Sequence, residues 1–199
     1  MRLLIATRNP DKIKEIRSVL NLDEDIVKSS LDYPSIPDVI EDKDTLEGNA
    51  IKKAVEMANA TGCWALADDS GLEVEALNGA PGVYSARYAG ENCSYHDNVL
   101  KLLEVMKGEK NRKAVFRTVL ALVNLVGEVR TIEGVCKGTI SLSESGISGF
   151  GYDPIFVPDG YRCTFADLEL SEKNKISHRG LALQEAIRLW GSIFRQFNS

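Results

Sequence analysis

The chain has 199 residues, 44% hydrophobic and 27% charged, which is enough apolar material for a buried core and excludes a disordered polymer. Its 24 Lys and Arg against 29 Asp and Glu leave a net charge of −5, which argues against a protein that coats a nucleic-acid backbone. No apolar run is long enough to cross a membrane, and the short apolar start Leu3–Ala6 does not make a secretory signal, so a cytoplasmic protein is expected.

In chain order, Leu3 to Ala6 reads as a buried strand. A helix follows, with Asn9 at its N-cap, Pro10 at its first position, and Ile13, Ile16 and Leu20 at helical spacing. Asp44-x-x-Glu47 reads as a capping box that starts a second helix, with Ile51, Ala54, Val55 and Ala58 on its apolar face and Gly62 past its end. Trp64 to Ala67 is a strand that ends in the turn-forming Asp68-Asp69-Ser70-Gly71, and Leu72, Val74 and Ala76 alternate with polar residues as another. Gly79 to Gly82 is a turn, and Ser94-x-x-Asp97 caps a third helix carrying Val99, Leu102, Leu103 and Met106. Ala114–Val126 and Val129–Ile140 flank Gly127 as a hairpin, and a Gly- and Ser-rich loop covers Ser143 to Gly151. Ser177 caps the last helix, whose buried face is Leu183, Ala186, Ile187 and Trp190. The expectation is α/β with a mixed sheet, because a hairpin makes its strands antiparallel while the early strand–helix alternation favours parallel ones. No linker, repeat or low-complexity tract divides the chain, so 1–199 reads as one unit, with room for two lobes about a cleft. Cys63, Cys93, Cys136 and Cys163 form no C-x-x-C pair, so neither zinc nor a redox dithiol is signalled.

Four segments carry chemistry. Thr7-Arg8-Asn9-Pro10-Asp11-Lys12 runs from a buried strand into a helix start, where backbone N–H groups, short polar side chains and a lysine suit a phosphate. Asp68 and Asp69, with Glu41 before the second helix, are carboxylates able to hold a hard divalent cation or deprotonate water. Phe150 lies between Gly149 and Gly151, ahead of Tyr152-Asp153-Pro154, with its ring open for stacking on a planar base. Lys173, His178 and Arg179 gather at the mouth of the last helix, where cations are unfavourable unless an anionic or polar ligand compensates. Together they place Lys12, Lys53 and Lys173 as phosphate-binding lysines beside a metal or base site and an aromatic platform. A nucleotide with a metal-bridged phosphate tail would use all of them.

The stretches Ala6 to Lys12, Thr45 to Lys53, Ala67 to Gly90, Gly149 to Phe156 and Ile176 to Gly180 resemble the Ham1 family of non-canonical purine nucleoside triphosphate pyrophosphatases, in the family's order and over almost the whole chain. Arg8, Lys43 and Leu46 stand where that family commonly has a small residue, Gly and Phe. The resemblance implies an elongated, mixed α/β fold with two lobes and a central cleft, usually a homodimer. It also implies Mg²⁺-dependent hydrolysis of ITP, dITP or XTP to the monophosphate and pyrophosphate. By residue, it implies Asp69 as base and metal ligand with Asp68 and Glu41 helping to hold Mg²⁺. Lys12, Lys53 and Lys173 would meet the phosphates, and Thr7, Arg8, Asn9, Pro10, Asp11 and Ser70 would complete the cradle. Phe150 would stack on the purine, Gly151 and Tyr152 beside it would also bind the substrate, and Asp153, His178 and Arg179 would sit near the base edge. The alternatives are a Maf-type pyrophosphatase acting on other modified nucleotides and a nucleotide-binding module without turnover. Gly149–Asp153 and Ser177–Arg179 favour Ham1 over the first, and the three carboxylates favour turnover over the second.

Overall fold

The computed structural model describes residues 2–22 and 25–197. Its elements are β1 (Leu3–Ile5), α1 (Pro10–Leu20), β2 (Val27–Ser29), α2 (Leu46–Thr61), β3 (Trp64–Val74), β4 (Pro81–Gly82), α3 (Tyr95–Val105), β5 (Lys113–Val123), β6 (Val129–Ile140), β7 (Phe156–Pro158), α4 (Leu170–Ile176) and α5 (His178–Arg195). The sheet has seven strands in the order β2-β1-β3-β5-β6-β7, with β4 paired to β3. It is mixed, as expected: β1 is parallel to both β2 and β3, whereas β4 is antiparallel to β3 and β7 to β6.

The local signals act where the sequence puts them. Asn9 caps α1 by accepting from the N–H groups of Asp11 and Lys12, and Ser94 and Asp97 close a capping box on α3. Asn124 to Glu128 turn the β5–β6 hairpin, with Asn124 N donating to Glu128 O at 3.1 Å.

Four local expectations are corrected. α2 is capped by Thr45 rather than Asp44, its Oγ1 accepting from Gly48 N at 3.0 Å, while Glu47 takes a hydrogen bond from Thr131 Oγ1 at 2.9 Å instead of closing a box. The buried stripe of α2 accordingly runs through Leu46, Ala50, Ala54, Met57 and Ala58, and Ile51 and Val55 are only half-buried. Asp68-Asp69-Ser70-Gly71 is not a turn. It continues β3, because Trp64–Leu66 are paired to β1 at one end and Leu72–Glu73 to β4 at the other. Finally, α4 was not anticipated, and α5 buries Ala182, Leu183, Ala186, Trp190 and Phe194 while Ile187 is 40% exposed.

The chain forms two compact units. The first contains residues 1–69, 118–134 and 179–199, and the second 70–117 and 135–178, so the boundaries fall inside β3, β5, β6 and α5. The first unit packs Leu3 and Ile5 of β1, Ile13 and Ile16 of α1, Leu120 and Leu122 of β5, and Ala186, Trp190 and Phe194 of α5. The second packs Leu72, Val99, Leu102, Met106, Phe116, Ile140, Phe156 and Phe165. Among the described residues no helix is long and apolar enough to cross a membrane.

Candidate active site

In the first unit, α1, α2, β3 and α5 bring a group of charges together. Arg179, on the first turn of α5, is 2% exposed. Its Nε and Nη2 donate to Asp68 Oδ2 at 3.1 and 2.9 Å, and its Nη1 donates to Glu15 Oε2 at 2.5 Å. Lys12 Nζ lies 3.1 Å from the same Asp68 Oδ2. A buried chain Glu15–Arg179–Asp68–Lys12 results, alternating in sign so that each charge removed from water meets an opposite one. Burial alone would raise the Asp68 carboxyl, but Lys12 and Arg179 outweigh it and hold Asp68 well below the usual carboxylate range. Burial lowers the Lys12 pKa, with Asp68 partly offsetting it.

Successive residues of a strand face opposite sides, so Asp69 points away from that chain and meets a different set of groups. Lys53, on α2, donates to Glu41 Oε1 at 2.6 Å and to the Asp68 carbonyl at 2.6 Å, and its Nζ is 3.6 Å from Asp69 Oδ1. Burial disfavours the Lys53 cation, yet Asp69 and Glu41 outweigh it and raise its pKa. Glu41 also resists its own burial, because Lys53 pulls its pKa below the ordinary value. Asp69 goes the other way. Burial raises its pKa and Glu41 adds to the rise, against Lys53, Lys12 and Asn49. A carboxylate with a raised pKa beside a second carboxylate is a candidate for acid–base chemistry.

The same pair fits a hard cation. Glu41 and Asp69 turn oxygen donors toward one ammonium, and the pKa of Asp69 is raised by its burial first and by the neighbouring Glu41 charge second, so a cation there would favour its ionised form. Among the described residues no group of three or more His, Cys, Asp or Glu side chains forms a ready metal cage. Mg²⁺ is usually held by one or two carboxylates plus substrate phosphates and waters, so a two-carboxylate site suits it. Asp68, expected as a third ligand, is engaged by Arg179 and Lys12 on the other face of β3.

The helix start before Lys12 differs from the expected cradle of free amides. Asn9 Oδ1 accepts from Asp11 N and Lys12 N, Thr7 Oγ1 accepts from Asn9 N at 3.2 Å, and Pro10 has no N–H. These donors serve the cap. Arg8 donates to Asp38 Oδ1 and to the Ile36 carbonyl, each at 2.5 Å, so it anchors the 36–38 segment.

In the second unit, Phe150, Asp153 and Lys173 come together. Asp153 is 2% exposed, and its Oδ2 accepts from Phe150 N at 2.8 Å and from Lys173 Nζ at 2.5 Å. The Lys173 ammonium also stands 5.0 Å from the Phe150 ring centroid. Lys173 is buried against Asp153 in this unit, whereas Lys12 and Lys53 belong to the first. Gly149 has φ of +74°, and a Cβ there would lie 2.1 Å from Asp153 Oδ2, so glycine is required twice over. His178 is buried and stacks on Phe116 with centroids 4.4 Å apart and planes at 10°. Tyr152 is a core residue whose hydroxyl donates to the Ser85 carbonyl at 2.9 Å, and burial pushes its pKa up. Ser70 is half-buried on β3, and Gly151 has φ of +62°.

Sequence reasoning missed Glu15 and Asn49. Both are charged or polar residues on the buried face of a helix, Glu15 beside Ile16 and Asn49 beside Ala50, and that misfit to the apolar stripe was the available signal.

The Ham1 family model matches residues 3–189. A dITP/XTP pyrophosphatase of Flavobacterium johnsoniae is 49% identical over 190 residues, covering 95% of this chain and 97% of that relative. One from Desulforamulus reducens is 46% identical over 196 residues, covering 98% of each. Among solved structures, a HAM1 protein from Coxiella burnetii has a TM-score of 0.87 at 39% identity, covering 96% of this chain and 99% of that one. The Staphylococcus aureus Ham1 protein has a TM-score of 0.85 at 37% identity, covering 97% and 100%.

Proposed function

The chain belongs to the Ham1 family, and on that footing we propose that it hydrolyses non-canonical purine nucleoside triphosphates, dITP, ITP and XTP, to the monophosphate and pyrophosphate. The observation that carries this reading is the Asp69–Lys53–Glu41 cluster, two carboxylates on one buried ammonium with the pKa of Asp69 raised. Relatives that align along nearly the whole chain are named dITP/XTP pyrophosphatases, which supports the substrate class.

Water adds to the α-phosphorus, the bond to the α–β bridging oxygen breaks, and pyrophosphate departs. Asp69 accepts the proton of that water, a task for which its raised pKa suits it. Lys12 and Lys53 set positive charge against the phosphates, and Lys53 also keeps Glu41 and Asp69 facing one point. Arg179 holds Asp68, and through it Lys12, in place. Phe150 stacks on the purine. Bound at Glu41 and Asp69, Mg²⁺ would polarise the phosphoryl oxygens and lower the pKa of the attacking water. We extend the proposal to a cytoplasmic homodimer, checked by light scattering on the purified chain.

The decisive experiment incubates the protein with Mg²⁺ and dITP, ITP, XTP, ATP or GTP, and detects product with and without added inorganic pyrophosphatase. Phosphate that appears only when pyrophosphatase is added, from the first three nucleotides far more than from ATP, is the expected result. Direct release of orthophosphate would overturn the reaction, and equal use of ATP the substrate class. Mg²⁺ alone should raise the melting temperature of the wild type and not that of Asp69→Asn. An equal rise in both would remove Asp69 from the metal site.

A further inference from the structure

We propose that Tyr95 is a positioning residue for Phe150, so that the first turn of α3 sets where the purine stacks. The proposal rests on the reading of Phe150 given above. The centroids of the two rings are 5.8 Å apart with planes at 47°, an aromatic pair in direct contact.

The two partners are mounted differently. Phe150 sits between glycines at φ of +74° and +62°, a backbone that lacks the restraint of a Cβ on either side. Tyr95 is the first residue of a capped helix. Ser94 N and Oγ donate to Asp97 Oδ2 at 2.8 and 2.7 Å, and Asp97 N donates back to Ser94 Oγ at 3.1 Å. Buried Val99, Leu102 and Met106 hold the rest of that helix in the core. Buried Asn98 ties it to the preceding loop, accepting from Ala89 N at 2.7 Å and donating to the Ala86 carbonyl at 3.1 Å. The fixed member of the pair is thus Tyr95.

A second contact links the same helix turn to the same loop, with His96 Nδ1 lying 3.4 Å from Glu144 Oε2. Within the loop, Phe150 is held by its N–H bond to Asp153 and by the Lys173 ammonium over its ring. Those contacts fix the backbone and one face, and Tyr95 supplies the lateral support. Tyr95 is itself 44% exposed, so little of the core depends on it. Its removal should loosen Phe150 without unfolding the unit.

The test is steady-state hydrolysis of ITP by Tyr95→Ala, Tyr95→Phe, Phe150→Ala and the Tyr95→Ala/Phe150→Ala double variant, with melting temperatures for all. Tyr95→Ala should raise KM about threefold to tenfold with kcat within about twofold of wild type, the pattern of lost binding rather than lost chemistry. Tyr95→Phe should restore wild-type KM, because it keeps the ring. In the Phe150→Ala background, Tyr95→Ala should add nothing, since the residue it positions is gone. A raised KM for Phe150→Ala with an unchanged KM for Tyr95→Ala overturns the proposal and leaves the stacking role standing. A full additional effect in the double variant also overturns it, because Tyr95 would then touch the nucleotide independently. If Phe150→Ala has no effect while pyrophosphate release persists, the stacking role falls and this proposal with it. A lower melting temperature with kcat and KM both disturbed in Tyr95→Ala marks a structural residue and likewise ends it.

Discussion

In the first unit, the charged group is built almost wholly on regular elements: Lys12 and Glu15 on α1, Lys53 on α2, Asp68 and Asp69 on β3, and Arg179 on α5. In the second, Phe150 lies in a glycine-flanked loop, where the Asp153 carboxylate accepts from its N–H and Lys173 and Tyr95 lie against its ring. Charges that must meet within hydrogen-bond distance are placed by helices and a strand whose packing is over-determined, and the cost of misplacing any one is the burial of an unpaired ion. A stacking ring tolerates small displacements, so a few local contacts suffice. The first region should therefore respond to mutation in stability, in kcat and in its hold on the phosphate tail, and the second in KM through the base.

The largest effect is expected from Arg179→Met, which strips the shared partner from buried Asp68 and Glu15. Unfolding by urea should show a loss of about 3–5 kcal/mol. Because the Arg179 guanidinium donates to those two carboxylates, the ratio of kcat/KM for ITP over ATP should stay near that of wild type. A collapse of that ratio with stability intact would move Arg179 to the base side and erase the contrast between the regions. The acid limb of stability follows from the same chain. The folded pKa of Asp68 is depressed, so its contribution is fully present above the unfolded value, about 3.9, and is lost as pH falls below it toward the folded value. Urea unfolding across pH 3 to 6 should show this fall in the wild type and a shallower one in Arg179→Met.

Next comes Asp69→Asn. It keeps the shape and removes the base, and kcat should drop at least about a hundredfold, roughly 2.7 kcal/mol of transition-state stabilisation. The melting temperature should not fall, since the raised pKa shows the folded site already disfavours that charge. Retention of more than about a tenth of kcat, a loss under roughly 1.4 kcal/mol, rules Asp69 out as the base.

The lysines, expected as one set, divide between the regions and give a direct test. Lys53→Met should weaken ITP about tenfold relative to inosine in competition assays, since a point charge acts on the phosphate tail. Lys173→Met should weaken both ligands alike, because it supports Phe150 and Asp153. Equal behaviour of the two variants would dissolve the distinction. The smallest effect on kcat is expected from Gly149→Ala, where a Cβ meets Asp153 Oδ2 and φ is positive. KM should rise several-fold, at a strain of about 1–3 kcal/mol, with kcat little changed.

Much of this was legible in the residues themselves. The caps at Asn9 and Ser94, the hairpin about Gly127 and the mixed sheet follow from side chains that satisfy neighbouring backbone groups or set a local φ. Candidates for the site could also be named from the residues, because carboxylates, lysines and a glycine-flanked aromatic are rare company. Their partners were not. Asp68 and Asp69 read as a turn-forming pair, yet β3 has a strand neighbour at each end of that run, and the ladder overrides the local preference. Once the run is a strand, alternation parts the two carboxylates, sending one to Arg179 and the other toward Lys53. Glu15 meets Arg179 across 164 residues of sequence, and no local pattern encodes a contact of that range. The sequence by itself determined most of the elements, the caps at Asn9 and Ser94 and the chemistry available, since these depend on residues a few positions apart. Which charge faces which was decided only by the tertiary structure, because an ion pair in a core is specified by the packing of whole elements and not by the residues beside it in the chain.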